Sequence, residues 1–303
     1  MGLNIATKTK GIWINRSYST LLYYLLVVIL GCLISSYLLG SLVCLLLFDI
    51  SFFSSSNQVF DPSNTNMMNA MKTMQVFNAI GTFVIPPLLF SHFRGLSVSV
   101  YLKLKTHLTP IDVLKVFVLA LAMIPLANYL GSLNELIPYP DFLSFLKVAE
   151  EQTILLTEQF LIMDSLLDLG IMIFIMGVVA AVGEELLFRG VLQNLFHSWS
   201  QSNHIAVWLT ALLFSVIHMQ YHAVLPRFFL GAFIGYVYVY SGSLRMPILL
   251  HFLYNSSLVI LSYLIQNEIV TESWESVGVQ NYTVLIAALV LLFLFSKSWF
   301  QKR

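Results

Sequence analysis

From Leu21 to Phe48 the chain runs without a charged residue. A run of that length exceeds the ~20 residues a helix needs to cross the apolar core of a bilayer. It is also longer than a signal-peptide core and lacks a small-x-small cleavage site, so it reads as a retained span. Similar runs recur at about 74–93, 113–131, 169–195, 205–220, 226–241, 246–265 and 282–299. Backbone polar groups in lipid have no water to bond, so each run has to satisfy them internally as a helix. The expected fold is therefore all-α, a polytopic membrane protein of about eight transmembrane helices. Composition agrees, with 58% hydrophobic and 10% charged residues, against about 25% charged in soluble domains. The net charge of zero gives no reason to expect nucleic acid as a partner. Cys32 and Cys44 fall in one predicted helix roughly 18 Å apart, too far to bridge.

The cations orient the helices. With eight spans, Lys8, Lys10, Arg16, Arg94, Lys103, Lys105, Lys115, Arg245, Lys297, Lys302 and Arg303 gather on one side, and only Lys72, Lys147 and Arg227 fall on the other. The positive-inside rule then places both termini in the cytoplasm, in the plasma membrane if the source is bacterial. Pro86-Pro87 should kink the second span or end it early. Thr109-Pro110-Ile111-Asp112 reads as a helix start, with Thr as cap and Pro in the first turn. Residues 132–168 are the longest polar stretch and are acidic. Their apolar members Phe142, Phe145, Leu146, Leu155 and Phe160 recur at loosely helical spacing, as in amphipathic helices lying on a surface. The chain divides into an N-terminal region of three spans with this outer segment (1–164), a core of spans 4 to 7 (165–265), and a last span with a basic tail (266–303).

The fourth run carries the exception to its own rule. Gly183-Glu184-Glu185-Leu186-Leu187-Phe188-Arg189-Gly190 sets two carboxylates and a guanidinium behind the uncharged stretch Leu169 to Val182. An ionised group at such depth costs several kcal/mol or more, which marks it as a functional candidate. Glu185 and Arg189 are four apart on one helix face and can pair. Glu184 points about 100° away from Glu185 and is free to face another helix. Counted from the cytoplasmic ends, Glu184 and Glu185 lie roughly 15 Å deep, His218 roughly 20 Å, and His251 and Asn255 roughly 8 to 14 Å. Three helices thus deliver polar groups to one layer. A carboxylate withdrawn from water, a neighbouring histidine and further hydrogen-bond donors are what attack of water on a carbonyl needs. The blander alternatives are an intrahelical ion pair for Glu185 and Arg189 and interhelical hydrogen bonds for the histidines. Gly231-x-x-x-Gly235 allows close helix contact but is a common pattern.

The ordered motifs E-E-x-x-x-R, F-x-x-x-H and H-x-x-x-N over about 165–265 resemble the CPBP group of intramembrane proteases, which includes the CAAX prenyl endopeptidase of the Rce1 type and bacterial Abi-domain proteins. The resemblance implies a catalytic core in spans 4 to 7. Glu184 and His218 would activate water, His251 and Asn255 would bind the oxyanion, and Glu185 with Arg189 would support the helix. It implies an endopeptidase acting on a membrane-associated peptide or protein, prenylated substrates of the CAAX type included, and the depth counted above has that peptide entering from the cytoplasmic side. Residues 1–164 show no comparable motif. The family has been called a metalloprotease group, yet this chain has neither H-E-x-x-H nor a Cys/His cluster. Zinc remains an open cofactor, with Glu184, His218 and His251 as its candidate ligands. Two other classes stay in view. One is a non-catalytic bacteriocin-immunity or scaffold protein, a role discussed for some relatives. The other is a proton-coupled transporter, which intramembrane Glu and His also mark, although the first half lacks the matching broken helices of an inverted repeat.

Overall fold

The structure, a computed structural model, describes residues 11–53, 61–104 and 108–300, and for 295–300 the backbone alone. Of the cations that orient the helices, Lys8, Lys10, Lys105, Lys302 and Arg303 lie outside the described residues, as does the side chain of Lys297. Among the described residues the regular structure is helical throughout. The main helices are α1 (Tyr18–Phe48), α2 (Thr65–Phe93), α3 (Pro110–Glu135), α4 (Ser144–Phe160), α5 (Leu166–Ser200), α6 (Asn203–Val216), α7 (Val224–Ser241), α8 (Arg245–Gln266) and α9 (Tyr282–Phe300). Six of them, α1, α2, α3, α5, α7 and α8, are long and apolar enough to cross a membrane. The other two expected spans, α6 and α9, are shorter apolar helices. At 14 residues, α6 is about 21 Å long and falls short of a bilayer core by itself. The protein is an all-α polytopic membrane protein.

Side-chain caps explain where several helices begin. Asn64 Oδ1 accepts from Met67 N at 3.1 Å and so starts α2 well before position 74. Thr109 and Asp112 form a reciprocal capping box at α3, in keeping with the Thr-Pro-Ile-Asp sequence. Ser165 and Ser202 cap α5 and α6 by accepting from Asp168 N and Ile205 N. Pro86-Pro87 does not end α2. The π-helical turn Ile80–Val84 precedes them, and they occupy the first turn of the final stretch Ile85–Phe93. The register change at that turn lets the helix continue past residues that lack a backbone donor.

Two large buried clusters lie at the centre of the packing. Buried residues of α3, α7, α8 and α9, among them Leu119, Met123, Ile234, Leu250 and Ala288, form one core. Leu21, Leu25, Phe90, Leu187 and Val191 from α1, α2 and α5 form another. The two ends of the bundle differ in chemistry. Arg94, Lys103 and Arg245 mark one end, where Leu244 N donates to Lys103 O at 3.2 Å. At the other end sits α4, with Phe160 packed on Met68, Met163, Met172 and Val259. Helix α4 is a surface helix, as its spacing implied, but with an inversion: Phe145, Val148 and Leu155 are exposed while Glu150 is buried. Exposed apolar groups beside a polar bundle end suit a helix lying in the membrane interface.

Candidate active site

Helix α5 presents the paired acids on an α-helical stretch, Ala180–Leu187, flanked by the π-helical turns Ile173–Val179 and Phe188–Gln193. A π-turn inserts a residue and rotates the helix beyond it, so side chains on either side need not share a single helical face. The two acids diverge as their angular separation requires. Glu185 is wholly buried and its Oε1 accepts from Arg189 Nη1 at 2.6 Å and from His251 Nδ1 at 2.8 Å. Glu184 retains 14% exposure and borders a cavity.

Arg189 does more than pair within its helix. Its Nη2 donates to Gly231 O on α7 at 2.7 Å, and its guanidinium lies 5.1 Å from the Phe214 ring of α6. One buried cation therefore ties α5 to α6 and α7. The same interface explains the glycine pair of α7: a Cβ at Gly231 would lie 3.3 Å from Ala211 Cα, and one at Gly235 would lie 3.1 Å from Val207 Cγ1. Gln193 Nε2 donates to Gly235 O at 3.1 Å, one helical turn below the Arg189 contact.

The two histidines are each pinned through Nδ1. His218 falls past the end of α6, in the turn that leads to Met219 with φ of 56°, rather than inside a helix reaching 220. Its Nδ1 lies 2.7 Å from Phe214 O. A carbonyl only accepts, so this nitrogen carries the proton and Nε2 keeps its lone pair. His251 donates from Nδ1 to Glu185, which turns its Nε2 toward Glu184 Oε2 at 3.8 Å. That is beyond a direct hydrogen bond. The Phe214 ring sits between the two imidazoles, 5.1 Å from His218 and 6.0 Å from His251. Asn255 Nδ2 donates to Met176 O at 2.9 Å, a carbonyl within the first π-turn of α5. One amide hydrogen is thus committed and the second remains available.

All four expected groups, Glu184, His218, His251 and Asn255, line one cavity of about 590 Å³. Its wall continues through Gln75 and Asn128 to Thr153 and Thr157 of α4. The cavity therefore runs from the acid layer toward the α4 end of the bundle, away from Arg94, Lys103 and Arg245. Depth counted from those cations gives the layer but not its open direction. Three further polar groups line the same cavity: Gln220, Arg227 and Tyr254. Arg227, an outer-loop cation by hydropathy alone, stands in the first turn of α7. The one available signal is its place just after Pro226 and before an apolar run with no other charge as far as Tyr240.

The turn that carries His218 is braced from outside. Glu150 Oε2 and Oε1 accept from the backbone N–H of Tyr221 and His222, each at 3.1 Å, and Tyr139 donates to the same carboxylate. Burial, and then the adjacent Glu150 carboxylate, push the Tyr139 hydroxyl up to about 12, so it stays a donor at physiological pH. Asn134 completes the brace, donating to Tyr221 O at 3.1 Å and accepting from Leu225 N at 2.7 Å.

The three candidate zinc ligands are not gathered into a site among the described residues. Among the described residues no three His, Cys, Asp or Glu side chains converge on a point that would hold a metal ion. Glu184 and His251 Nε2 approach each other at 3.8 Å, with no third such side chain joining them among the described residues. A structural or catalytic zinc needs at least three protein ligands around one point, and Glu184, His218 and His251 do not supply that arrangement.

Residues 167–257 match the model of the family described as Type II CAAX prenyl endopeptidase Rce1-like. This stretch alone carries the family likeness. It contains Glu184, Glu185, Arg189, His218, Arg227, His251 and Asn255, but not the wall supplied by α2, α3 and α4, and it makes up under a third of the chain. Among curated proteins the chain is 35% identical over 78 residues to an uncharacterized 24.3 kDa protein of Escherichia coli, covering 24% of this chain and 36% of that protein. It is 31% identical over 85 residues to the uncharacterized protein YpbD of Bacillus subtilis (strain 168), covering 27% and 40%. The chain thus aligns with well under half the length of either relative. No solved structure matches it.

Proposed function

We propose that the protein is an intramembrane endopeptidase that hydrolyses a peptide bond of a membrane-associated substrate with a water activated by Glu184 and His218. The observation that carries this reading is the meeting of Glu184, His218 Nε2, His251 Nε2 and Asn255 at one cavity inside a membrane bundle. A prenylated substrate of the CAAX type is the class the domain family suggests, and the cavity itself does not require the lipid.

In this reading water lies in the cavity beside Glu184, which takes its proton as the oxygen attacks the scissile carbonyl. His218 Nε2, a lone pair fixed by the Nδ1 bond to Phe214 O, accepts a hydrogen bond from the same water. The second amide hydrogen of Asn255 donates to the oxyanion, and His251 does so through Nε2 when it carries both protons. Glu184 then returns the proton to the leaving amine. Glu185 and Arg189 take no proton; they hold the His251 ring and join α5 to its neighbours. No step is routed through zinc.

The test compares membranes carrying wild type with membranes carrying Glu184→Gln by proteomics of peptide termini. Substrates are expected as longer precursors only with Glu184→Gln, while the variant's expression and thermal stability stay near wild type. A chelator is expected to leave the wild-type pattern unchanged; chelator-sensitive cleavage restored by added zinc would replace the water mechanism with a metal one. No change in length of any protein, together with a changed solute gradient, would replace the protease by a transporter.

A further inference from the structure

The cavity contains one cation the proposed hydrolysis does not use. Arg227 Nη2 donates to the side-chain oxygen of Gln220, a neutral partner. Its Nη1 is buried and has no hydrogen-bond partner. No carboxylate lies within ion-pair distance of it among the described residues, although Glu184, Glu150 and the Tyr254 hydroxyl act on it electrostatically across the cavity. Arg189, the wholly buried cation of this core, is neutralised by Glu185 at 2.6 Å.

Arg227 as a whole is half-buried, and a guanidinium largely withdrawn from water without a counter-ion is costly, so such groups persist where something pairs with them. Its five donors in a planar fork suit a carboxylate, which can take two of them at once. The position adds to this, since the first turn of α7 offers the positive end of a helix dipole. Glu184 is on α5 and not within ion-pair distance, so no described side chain supplies a contacting anion.

We propose that Arg227 is the seat for a carboxylate of the peptide substrate, braced by Gln220 and facing the cavity opposite Glu184. This rests on the peptidase reading and extends it: the site selects a peptide by a negative charge set within the length of a 590 Å³ cavity from the scissile bond. Two sources supply that chemistry, the α-carboxylate at a peptide's C-terminus or an acidic side chain near the cleavage point. The first would make the enzyme cut close to a chain end, and the second would make it read an internal residue.

The experiment measures binding and turnover separately in reconstituted bilayers. The probe is a palmitoylated octapeptide of uncharged residues in three forms: free C-terminal acid, C-terminal amide, and amide with Glu as last residue. Binding is measured on Glu184→Gln protein, so it does not depend on cleavage. A charge-assisted pair predicts that the free acid binds about 10- to 100-fold more tightly than the plain amide. Adding Arg227→Gln should remove that preference, and Arg227→Lys should keep part of it. The Glu-amide peptide decides the source: binding like the acid assigns a side chain, and binding like the plain amide assigns the chain end. Should Arg227→Gln fail to fold, the acid preference of Arg227→Lys relative to the parent carries the test, an undiminished preference counting against the fork. An acid preference unchanged by Arg227→Gln, or no preference at all, overturns the proposal. So does an Arg227→Gln change in otherwise active protein that lowers turnover of acid and amide equally with binding intact, because that pattern belongs to an oxyanion donor. Acid-selective, Arg227-dependent binding by a protein that cleaves none of the three peptides would leave the carboxylate seat standing and sink the peptidase reading instead.

Discussion

Replacing Glu185 by Gln separates two roles that one oxygen performs. Glu185 Oε1 accepts from Arg189 at 2.6 Å and from His251 at 2.8 Å, with Glu185 and Arg189 fully buried. Glutamine keeps the shape and an accepting oxygen but leaves Arg189 as an uncompensated buried cation. Breaking a buried pair in this way costs about 3–5 kcal/mol, a large fraction of the roughly 5–15 kcal/mol by which domains are ordinarily stable. Glu185→Gln should therefore lower thermal stability strongly, whereas Glu184→Gln, whose carboxylate has no ion-pair or hydrogen-bond partner closer than 3.8 Å among the described residues, should not. The informative variant is the double change Glu185→Gln with Arg189→Met. Removing both charges is often close to neutral, less about 1–3 kcal/mol for the Gly231 carbonyl left without its donor. Stability should recover substantially. Activity should not, because the carboxylate that fixes the Nδ1 proton of His251 is still missing. Thermal unfolding in detergent and peptide turnover on the same preparations read the two effects. Full recovery of turnover along with stability would refute a positioning role for Glu185 and reduce it to a partner for Arg189.

The geometry predicts two further outcomes. Asn255→Ala should lower turnover by about 100-fold or more with little change in substrate affinity, as expected for loss of an oxyanion donor; a change confined to affinity would move Asn255 to substrate binding. Cysteines introduced at Glu151 and Glu272, both exposed, should label from one side of the membrane and one at Arg245 from the other; labelling of Glu151 and Arg245 from the same side would break the order of spans.

The legible part of the site is the part that violates a local rule. Glu184, Glu185 and Arg189 stand out because each is a charge within an apolar helix, and His251 and Asn255 stand out because they repeat at four residues in another. Contact between distant positions is hidden. Nothing in the spacing says that Glu185 meets His251 sixty-six residues on, so from sequence the pair with Arg189 reads as helix support alone. Arg227 escapes notice for the opposite reason: it comes directly after Pro226 at the edge of a polar turn, where a cation is ordinary. The π-turns of α2 and α5 have no sequence signature, yet one carries Pro86-Pro87 through the helix and the other presents Met176 O to Asn255. Eight apolar segments can be read from the hydropathy pattern, while the shortness of α6 reflects a chain that turns at Ile217 to set His218 on the cavity wall.

The direction of the cavity constrains the orientation of the chain. The cations gather at the end of the bundle marked by Arg94, Lys103 and Arg245, and the cavity runs to the opposite end under α4. If the cation-rich end is cytoplasmic, a peptide that reaches Glu184 through the cavity comes from the outer side or sideways from the bilayer. Approach from the cytoplasm would require the reverse orientation, against the positive-inside rule. The two expectations drawn from the sequence, cytoplasmic termini and a cytoplasmic approach, are therefore not independent, and a peptide that enters along the cavity from the α4 end does not satisfy both. Helix α4 stands at that end of the cavity in either case. It exposes Phe145, Val148 and Leu155 beside the cavity wall formed by Thr153 and Thr157, while its buried Glu150 holds the turn that carries His218. A peptide tethered in the same leaflet would meet this helix before it met the acids. Helix α4 and the turn that carries His218 are thus one mechanical unit, and on the proposed reading substrate approaches from the side of the membrane on which α4 lies.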